Sequence, residues 1–201
     1  SLSDTQAAPL MCAGAIGYRS LRLASIEDGQ PLGLMGFGGS AHLVLQMARH
    51  LYPQSAVFVF HRRKDVQDFA IELGAQWAGD LDAMPPQAPQ AIIDTTPAWR
   101  PVVESLGKLR PGGRLVINAI RKEEADKHAL LDLSYHQHLW MEREIKSVAN
   151  LTHTDIAEFV PLAAEIPLSA EVTVFSLEQA NEALMNLRQG GIKGANVLVI
   201  D

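Results

Sequence analysis

A glycine-rich segment is the first feature of the sequence that points to chemistry. It reads Gly36-Phe-Gly-Gly-Ser-Ala41 and fits the pattern G-x-G-x-x-G/A. The first glycine of this pattern permits a tight turn, the second lets the backbone approach a pyrophosphate, and the small last residue lets helix and strand pack closely. The start of a following helix attracts the negative charge. The segment therefore predicts a dinucleotide site that includes Gly36, Phe37, Gly38, Gly39, Ser40 and Ala41.

The elements on either side of this segment support that interpretation. Leu32–Gly36 is short and apolar enough for a buried strand, and Ala41–Leu51 has helical periodicity. The β-branched and aromatic run Ala56–Phe60 predicts a second strand, which completes a strand-helix-strand unit. A lone glycine triplet is usually only a structural turn, but this context favours dinucleotide binding.

Strands and helices continue to alternate along the chain. Further strands are predicted at Gln76–Ala78, Ala91–Asp94, Arg114–Ile120 and Ile145–Ala149. Such alternation is typical of a parallel sheet. The sequence therefore predicts an α/β fold of the Rossmann type, with a doubly wound parallel sheet of about six strands and helices on both faces.

Two helices outside this alternation are also predicted. Pro9–Ile26 is dense in apolar and helix-forming residues and indicates a lead-in helix, which breaks near Gly14 or Gly17. Tyr135–Glu142 indicates a second helix just before the last strand of the sheet.

The C-terminal end of the chain indicates a separate segment. Its predicted elements, in chain order, are Val172–Phe175 as a strand, a Ser176-capped helix over Leu177–Leu187, a turn at Gly190-Gly191, and Ala195–Ile200 as a strand. We therefore expect a dinucleotide-binding domain over residues 1–170 and a strand-helix-strand segment over residues 171–201.

The residues after the second predicted strand indicate which dinucleotide is bound. NAD-binding domains usually place an acidic residue about 20 residues after the glycines, where it accepts hydrogen bonds from ribose hydroxyls. Here the chain reads His61-Arg-Arg-Lys64, and guanidinium groups can pair with a 2′-phosphate. Residues His61, Arg62 and Arg63 therefore favour NADP. NAD stays open, because these charges could also be solvated residues that open a helix beside Asp65.

Two later strands also end in residues that could contact a ligand. Ligands of open α/β sheets bind at the carboxyl ends of the strands, where this sequence has Asp94-Thr-Thr-Pro97 and Asn118-Ala-Ile120. We predict cofactor contacts from Thr95, Thr96, Asn118, Ala119 and Ile120. Arg121 and Lys122 follow directly, and surface charge is the simpler explanation for them.

Composition excludes several classes of partner. The 201 residues are 47% hydrophobic and carry a formal net charge of −6, which argues against broad attraction to nucleic acid or an anionic membrane. No apolar run reaches the roughly 20 residues that span a bilayer. Cys12 is the single cysteine, so there is no internal disulfide, and a reducing compartment such as the cytoplasm is expected.

Several segments together resemble the zinc-dependent alcohol dehydrogenases of the medium-chain dehydrogenase/reductase family. The resemblance extends from about Ala7 to Asp201 in the order that the family uses after its catalytic domain. It is carried by Ala8-Pro-Leu-Met-Cys-Ala-Gly14, Tyr18-Arg-Ser-Leu21, Gly36-Phe-Gly-Gly-Ser-Ala-His42, Glu72-Leu-Gly-Ala75, Leu109-Arg-Pro-Gly-Gly-Arg114, Leu177-Glu-Gln-Ala-Asn-Glu-Ala183 and Gly194–Val199. It implies an NAD(P)(H)-binding domain that, in the intact enzyme, supports hydride transfer between the nicotinamide and a small alcohol or aldehyde.

The same resemblance identifies Cys12 with one protein ligand of the catalytic zinc. The family's other ligands come from an N-terminal domain that is absent from these residues, and one thiolate cannot hold zinc. The chain begins with Ser1 rather than methionine, so we expect its N-terminus to be processed or cut. We therefore expect no catalytic residue in this fragment, and cofactor binding without turnover. Without the resemblance, Cys12 would be a small buried hydrophobe.

The family also suggests how the rest of the chain is used. Its C-terminal segment returns to complete the catalytic domain, and its cofactor domains dimerise through sheet edges, which points to a homodimer through Ile145–Ala149. Two departures affect the cofactor pose. Ile16 stands where a threonine is common, and Asn150-Leu-Thr-His153 stands where an arginine is frequent.

Three alternative interpretations of the sequence differ from this one. One is a stand-alone nucleotide-binding or sensing module without catalysis. Another is an S-adenosylmethionine methyltransferase, which ranks low because His61 replaces the usual acidic residue. A metal site at His128, His136 and His138 is disfavoured, because no cysteine joins them and no two of them are four residues apart.

Overall fold

One parallel sheet organises the molecule, of which the computed structural model describes residues 3–189 and 194–200. Its six strands follow the order β3-β2-β1-β4-β5-β6. They are β1 (Leu32–Met35), β2 (Val57–Phe60), β3 (Trp77–Gly79), β4 (Ala91–Asp94), β5 (Arg114–Ile117) and β6 (Glu144–Ser147). The chain order reverses between β1 and β4, and ligands of such sheets bind in the crevice at this point. The predicted Rossmann-type α/β fold is confirmed.

Side chains alternate across the strands and fill two cores, one on each face of the sheet. Leu34, Val59 and Ile93 belong to the first core, whereas Phe60 and Ile92 belong to the second. The helices that cover the first core are α2 (Ala15–Ala24), α3 (Ala41–Leu51), α4 (Lys64–Glu72) and α6 (His153–Glu165). Helix α5 (Arg100–Lys108) covers the second. The sheet is therefore buried on both faces, which explains why β1, β2 and β4 have no exposed residue.

The lead-in helix begins earlier than predicted. Helix α1 (Asp4–Pro9) is capped by the Ser3 side chain and continues through a π-helical turn over Leu10–Gly14 into α2. The helix changes to π-helical geometry up to Gly14, but it does not break there or at Gly17, as had been predicted. A Cβ atom on Gly14 would lie 2.7 Å from Phe159 Cζ, so the missing side chain lets this turn approach α6 closely.

The predicted helix over Tyr135–Glu142 is wrong beyond its first turn. The structure has a π-helical turn at Tyr135–Leu139, and Met141 and Glu142 then have φ angles of 70° and 63°. A right-handed helix cannot continue through these angles. The Met141 carbonyl instead accepts a hydrogen bond from Gly112 N at 2.8 Å, which directs the chain into β6.

The C-terminal segment has a small sheet of its own. Strands β7 (Val172–Ser176) and β8 (Ala195–Val199) pair in parallel, and α7 (Ala180–Gln189) follows a short 3₁₀ turn between them. The predicted turn at Gly190-Gly191 lies outside the described residues. Several large apolar side chains of this segment are exposed, among them Val174 at 52% and Leu184 at 63%. No helix in the described ranges has both the length and the apolar character needed to cross a membrane.

Candidate functional site

The glycine-rich loop joins β1 to α3 and has two different reasons for its glycines. Gly36 has a φ angle of 83°, and a Cβ there would lie 2.8 Å from Thr95 Oγ1, so both its conformation and its surroundings require glycine. Gly38, in contrast, has open space around it, because a Cβ there would have no atom within 4 Å. The loop is thus held firmly at Gly36 and is open to a ligand at Gly38.

Two adjoining clefts lie at the carboxyl edge of the sheet. The first has a volume of about 310 Å³ and is lined by Gly36, Phe37, Gly38, Gly39, Ser40, His61, Thr95, Thr96, Pro97 and Asn118. The second, of about 430 Å³, is lined by Cys12, Ile16, Ser40, Thr95, Pro97, Asn118, Ala119, Ile120, Arg121 and residues 148–151. Because they share Ser40, Thr95, Pro97 and Asn118, they form one elongated cleft across the β1/β4 reversal.

Most of the sequence-predicted candidates line this cleft, and three do not. Ala41 is fully buried at the start of α3, where its small side chain lets the helix pack on the sheet. Arg62 and Arg63 are exposed just beyond His61 and line neither cleft. Residues 148–151, which follow β6, also line the second cleft; Asn150 and Leu151 were expected to affect the cofactor pose, but none of the four was predicted as a contact. Their position after a strand of the sheet was the signal that could have identified them.

The two arginines differ in how they are engaged. Arg63 donates from Nε and Nη2 to the Asp65 carboxylate, at 3.1 Å and 2.5 Å, and this hydrogen bonding lowers the pKa of Asp65. Arg62 has no ion-pair partner among the described residues. Beside them, His61 Nδ1 accepts a hydrogen bond from Arg63 N at 3.1 Å, and burial lowers the pKa of His61. Arg62 is therefore the more available cation at this end of the cleft.

His42 lies behind the glycine-rich loop. It is 2% exposed, and its Nδ1 is 3.1 Å from the carbonyl oxygen of Gly38. Burial lowers the pKa of His42, which favours the neutral ring. The contact links the first turn of α3 to the loop.

Asp94 and Lys122 form a buried ion pair below the cleft. The Asp94 side chain is 0% exposed and the Lys122 side chain 8%, with Nζ 2.5 Å from Asp94 Oδ2. Burial raises the pKa of the Asp94 carboxyl, while Lys122 and hydrogen bonds from Thr96 act to lower it. The interpretation of Lys122 as surface charge is thus wrong, and Asp94 is too deeply buried to contact a ligand in the cleft.

Asn118 offers the cleft an unsatisfied hydrogen-bond donor. Its Nδ2 atom is buried and has no partner in the structure, and the residue lies in the part of the cleft that both volumes share. Buried donors without a partner are uncommon in native proteins. Together with the open space at Gly38, this donor fits a polar, elongated ligand such as a dinucleotide.

The described residues do not by themselves fit a zinc site. Cys12 is exposed in the second cleft, and the described part of the chain contains no group of three or more His, Cys, Asp and Glu residues that could hold a metal ion. A protein zinc site requires three or four such ligands.

Comparisons with known proteins agree with this geometry. The chain is 39% identical, over 198 residues, to a Mycobacterium tuberculosis (strain CDC 1551 / Oshkosh) protein named "Probable alcohol dehydrogenase AdhA", covering 98% of this chain and 55% of that protein. A solved NAD-dependent alcohol dehydrogenase matches with a TM-score of 0.83 at 18% identity, over 100% of this chain and 60% of that one. The structure of CAD from Helicobacter pylori complexed with NADP(H) matches with a TM-score of 0.79 at 21% identity, over 96% and 54% of the two chains. No family model matches.

The comparisons also show what share of each relative's length the chain covers. The chain spans about half the length of the curated relatives it matches. The structural matches share the fold, and the sequence match extends over nearly all of the 201 residues. The predicted resemblance to the alcohol dehydrogenases of the medium-chain dehydrogenase/reductase family is thereby confirmed.

Proposed function

We propose that this chain is the nicotinamide-dinucleotide-binding part of an alcohol or aldehyde oxidoreductase. The observation that carries the proposal is the elongated cleft at the β1/β4 reversal, whose first part is lined by an open glycine-rich loop. Such a cleft is where open α/β sheets bind dinucleotides. In the whole protein, the bound cofactor would exchange a hydride with a small alcohol or carbonyl substrate.

The two ends of the cleft suit the two ends of a dinucleotide. The pyrophosphate is proposed to lie over Gly38, at the start of α3, where a helix N-terminus favours negative charge. The adenosine then lies toward His61. The nicotinamide lies in the second, more apolar cleft beside Ile16 and Cys12, with Asn118 donating between the two halves.

NADP is the proposed cofactor, with NAD as the alternative. A 2′-phosphate on the adenosine ribose would carry its charge into the region of Arg62 and Arg63. Because Arg63 is already paired with Asp65, Arg62 is proposed to be the main 2′-phosphate ligand. One matched structure has NADP(H) bound and another is described as NAD-dependent, so both cofactors occur among proteins of this fold.

The remaining parts of the proposal concern the intact protein. Residues 1–170 would form the cofactor domain, and residues 171–201 would pack on a catalytic domain through their exposed apolar side chains. Cys12 would be one ligand of a zinc ion whose other ligands lie outside these residues. The exposed edge strand β6 supports a homodimer, and a cytoplasmic location suits the single cysteine.

A fluorescence titration of the chain with NADPH and with NADH tests the proposal. Saturable binding that prefers NADPH is expected. Arg62→Ala should weaken NADPH binding by about 1.5–3 kcal/mol, the usual contribution of a hydrogen bond to a charged group, and leave NADH binding unchanged. Arg63→Ala is the matched control and should have a smaller effect, because that side chain is engaged by Asp65. If the chain binds neither NADPH nor NADH, the proposal is refuted and a different role for the glycine-rich loop is favoured.

A further inference from the structure

The Asp94–Lys122 pair uses all the hydrogen-bonding capacity of the lysine. Lys122 Nζ donates to Asp94 Oδ2 at 2.5 Å, to the Thr96 carbonyl at 2.8 Å and to the Ala98 carbonyl at 2.9 Å. An ammonium group has three donors, so none is left for solvent or for a ligand. The pair is therefore not a binding group itself but a fixed connection between two loops.

The carboxylate of Asp94 holds the same loop from its other side. Asp94 Oδ1 accepts hydrogen bonds from Thr96 N at 2.9 Å and from Thr96 Oγ1 at 2.7 Å. Burying two charges costs free energy that a well-packed apolar pair would not cost. The contribution of the Asp94–Lys122 pair to stability is therefore not a sufficient explanation for it. The pair is explained by the conformation that its hydrogen bonds impose on the loop after β4.

The loop held in this way forms one wall of the cleft. Thr95 and Thr96 line the cleft against Gly36, and Thr95 N donates to the Met35 carbonyl at 2.9 Å. The loop after β5 adds a second backbone contact, from Glu123 N to the Pro97 carbonyl at 2.7 Å. The positions of Thr95 and Thr96 are therefore determined by buried residues that do not line the cleft, chiefly Asp94 and Lys122.

We infer that Asp94 and Lys122 are positioning residues for dinucleotide binding. They fix the loop after β4 so that its threonines face the pyrophosphate and nicotinamide half of the cofactor. The inference rests on the proposed function, but it concerns a different property. It predicts an effect on the part of the site that NADPH and NADH share, whereas Arg62 would act only on the 2′-phosphate.

The test compares Lys122→Met with a matched buried lysine, Lys108, that lines neither part of the cleft. Lys108 is 3% exposed in its side chain, and its Nζ lies 3.1 Å from Glu104 Oε2 on α5. Lys122→Met should weaken NADPH and NADH binding to the same extent, by roughly tenfold to a hundredfold, as expected when a displaced loop misplaces its contacts. Lys108→Met should lower stability but leave both dissociation constants unchanged. Titrations are made at a temperature at which circular dichroism shows every variant to be folded.

A double variant separates positioning from stability. Asp94→Asn combined with Lys122→Met removes both charges, so stability should return toward that of the wild type. Affinity should stay low, because the carbonyls of Thr96 and Ala98 still lack their donor. Recovery of affinity together with stability, or wild-type affinity in Lys122→Met, would overturn the inference while leaving the proposed function intact. If the wild-type chain binds neither dinucleotide, the proposed function and this inference are both overturned.

Discussion

Replacing either of two glycines in the loop after β1 by alanine should separate folding from binding. Gly36 and Gly38 are two residues apart, yet their surroundings differ. A Cβ at Gly36 would lie 2.8 Å from Thr95 Oγ1 and 2.9 Å from Thr96 Cγ2, at a φ angle of 83°. A Cβ at Gly38 would project into open space. We expect Gly36→Ala to damage the fold and Gly38→Ala to damage only dinucleotide binding.

The expected magnitudes follow from these contacts. For Gly36→Ala, a left-handed backbone costs about 1–2 kcal/mol for a residue with a side chain. Overpacking against the two threonines costs about 1–3 kcal/mol more. The resulting loss of about 2–5 kcal/mol should lower Tm by roughly 4–20 °C, at about 2–4 °C per kcal/mol for a chain of this size. For Gly38→Ala, stability should be unchanged or rise by up to about 1 kcal/mol, because alanine restricts the unfolded chain.

Two measurements on each variant check this reasoning. Thermal unfolding gives the stability, and a fluorescence titration with NADPH gives the dissociation constant. Gly38→Ala should raise the NADPH Kd at least about tenfold, or about 1.4 kcal/mol, because its methyl group would occupy the proposed pyrophosphate position. A Gly38→Ala variant that binds NADPH like the wild type would refute the proposed position of the pyrophosphate. A Gly36→Ala variant as stable as the wild type would refute the packing argument.

Two further predictions concern the packing of the lead-in helix. Burial acts to raise the pKa of Asp155, but hydrogen bonds from Thr152 and Arg19 outweigh it, so the pKa of Asp155 is lowered in the folded protein. The ionised carboxylate therefore stabilises the fold at pH values above the ordinary carboxyl pKa. This stabilisation is lost as the pH falls through the pKa of Asp155 in the folded state. Asp155→Asn should therefore lower the free energy of unfolding by about 1–3 kcal/mol at pH 7, and urea titrations should show the difference from wild type shrinking below about pH 4. Gly17→Ala would place a Cβ 2.8 Å from Val44 Cγ2, and the clash between α2 and α3 should lower the free energy of unfolding by about 1–3 kcal/mol in the same assay. An unchanged unfolding midpoint in either variant would contradict the corresponding contact.

The sheet was predictable because its signals are local. The strand Ala91–Asp94 and the helix Ala41–Leu51 were both predicted with their observed bounds. A buried strand and an amphipathic helix each have a hydrophobic pattern that is recognisable within a few residues. The glycine pattern is equally local, which is why Gly36 to Ser40 were correctly expected to lie together at the start of α3. Elements whose path depends on a distant contact were predicted less well. The turn at Met141 and Glu142 depends on a hydrogen bond from Gly112, and nothing in the sequence around Tyr135 indicates it.

The partners of charged side chains were the part of the site that the sequence did not reveal. Arg62 and Arg63 look equivalent in the sequence, but the ion pair with Asp65 makes them different. Lys122 looks like surface charge, although its side chain is 8% exposed. One argument could have found the second case. Asp94 ends a strand predicted to be buried, and a carboxylate at such a position requires a cation or several hydrogen-bond donors. Because the loop after β5 is the neighbouring loop at that edge of the sheet, its basic residues were the place to look. The same reasoning applies to any parallel sheet of this kind. Here the acidic residue that ends the central strand β4 belongs to the framework that shapes the cleft, because its carboxylate is fully buried and is engaged by Lys122 and Thr96.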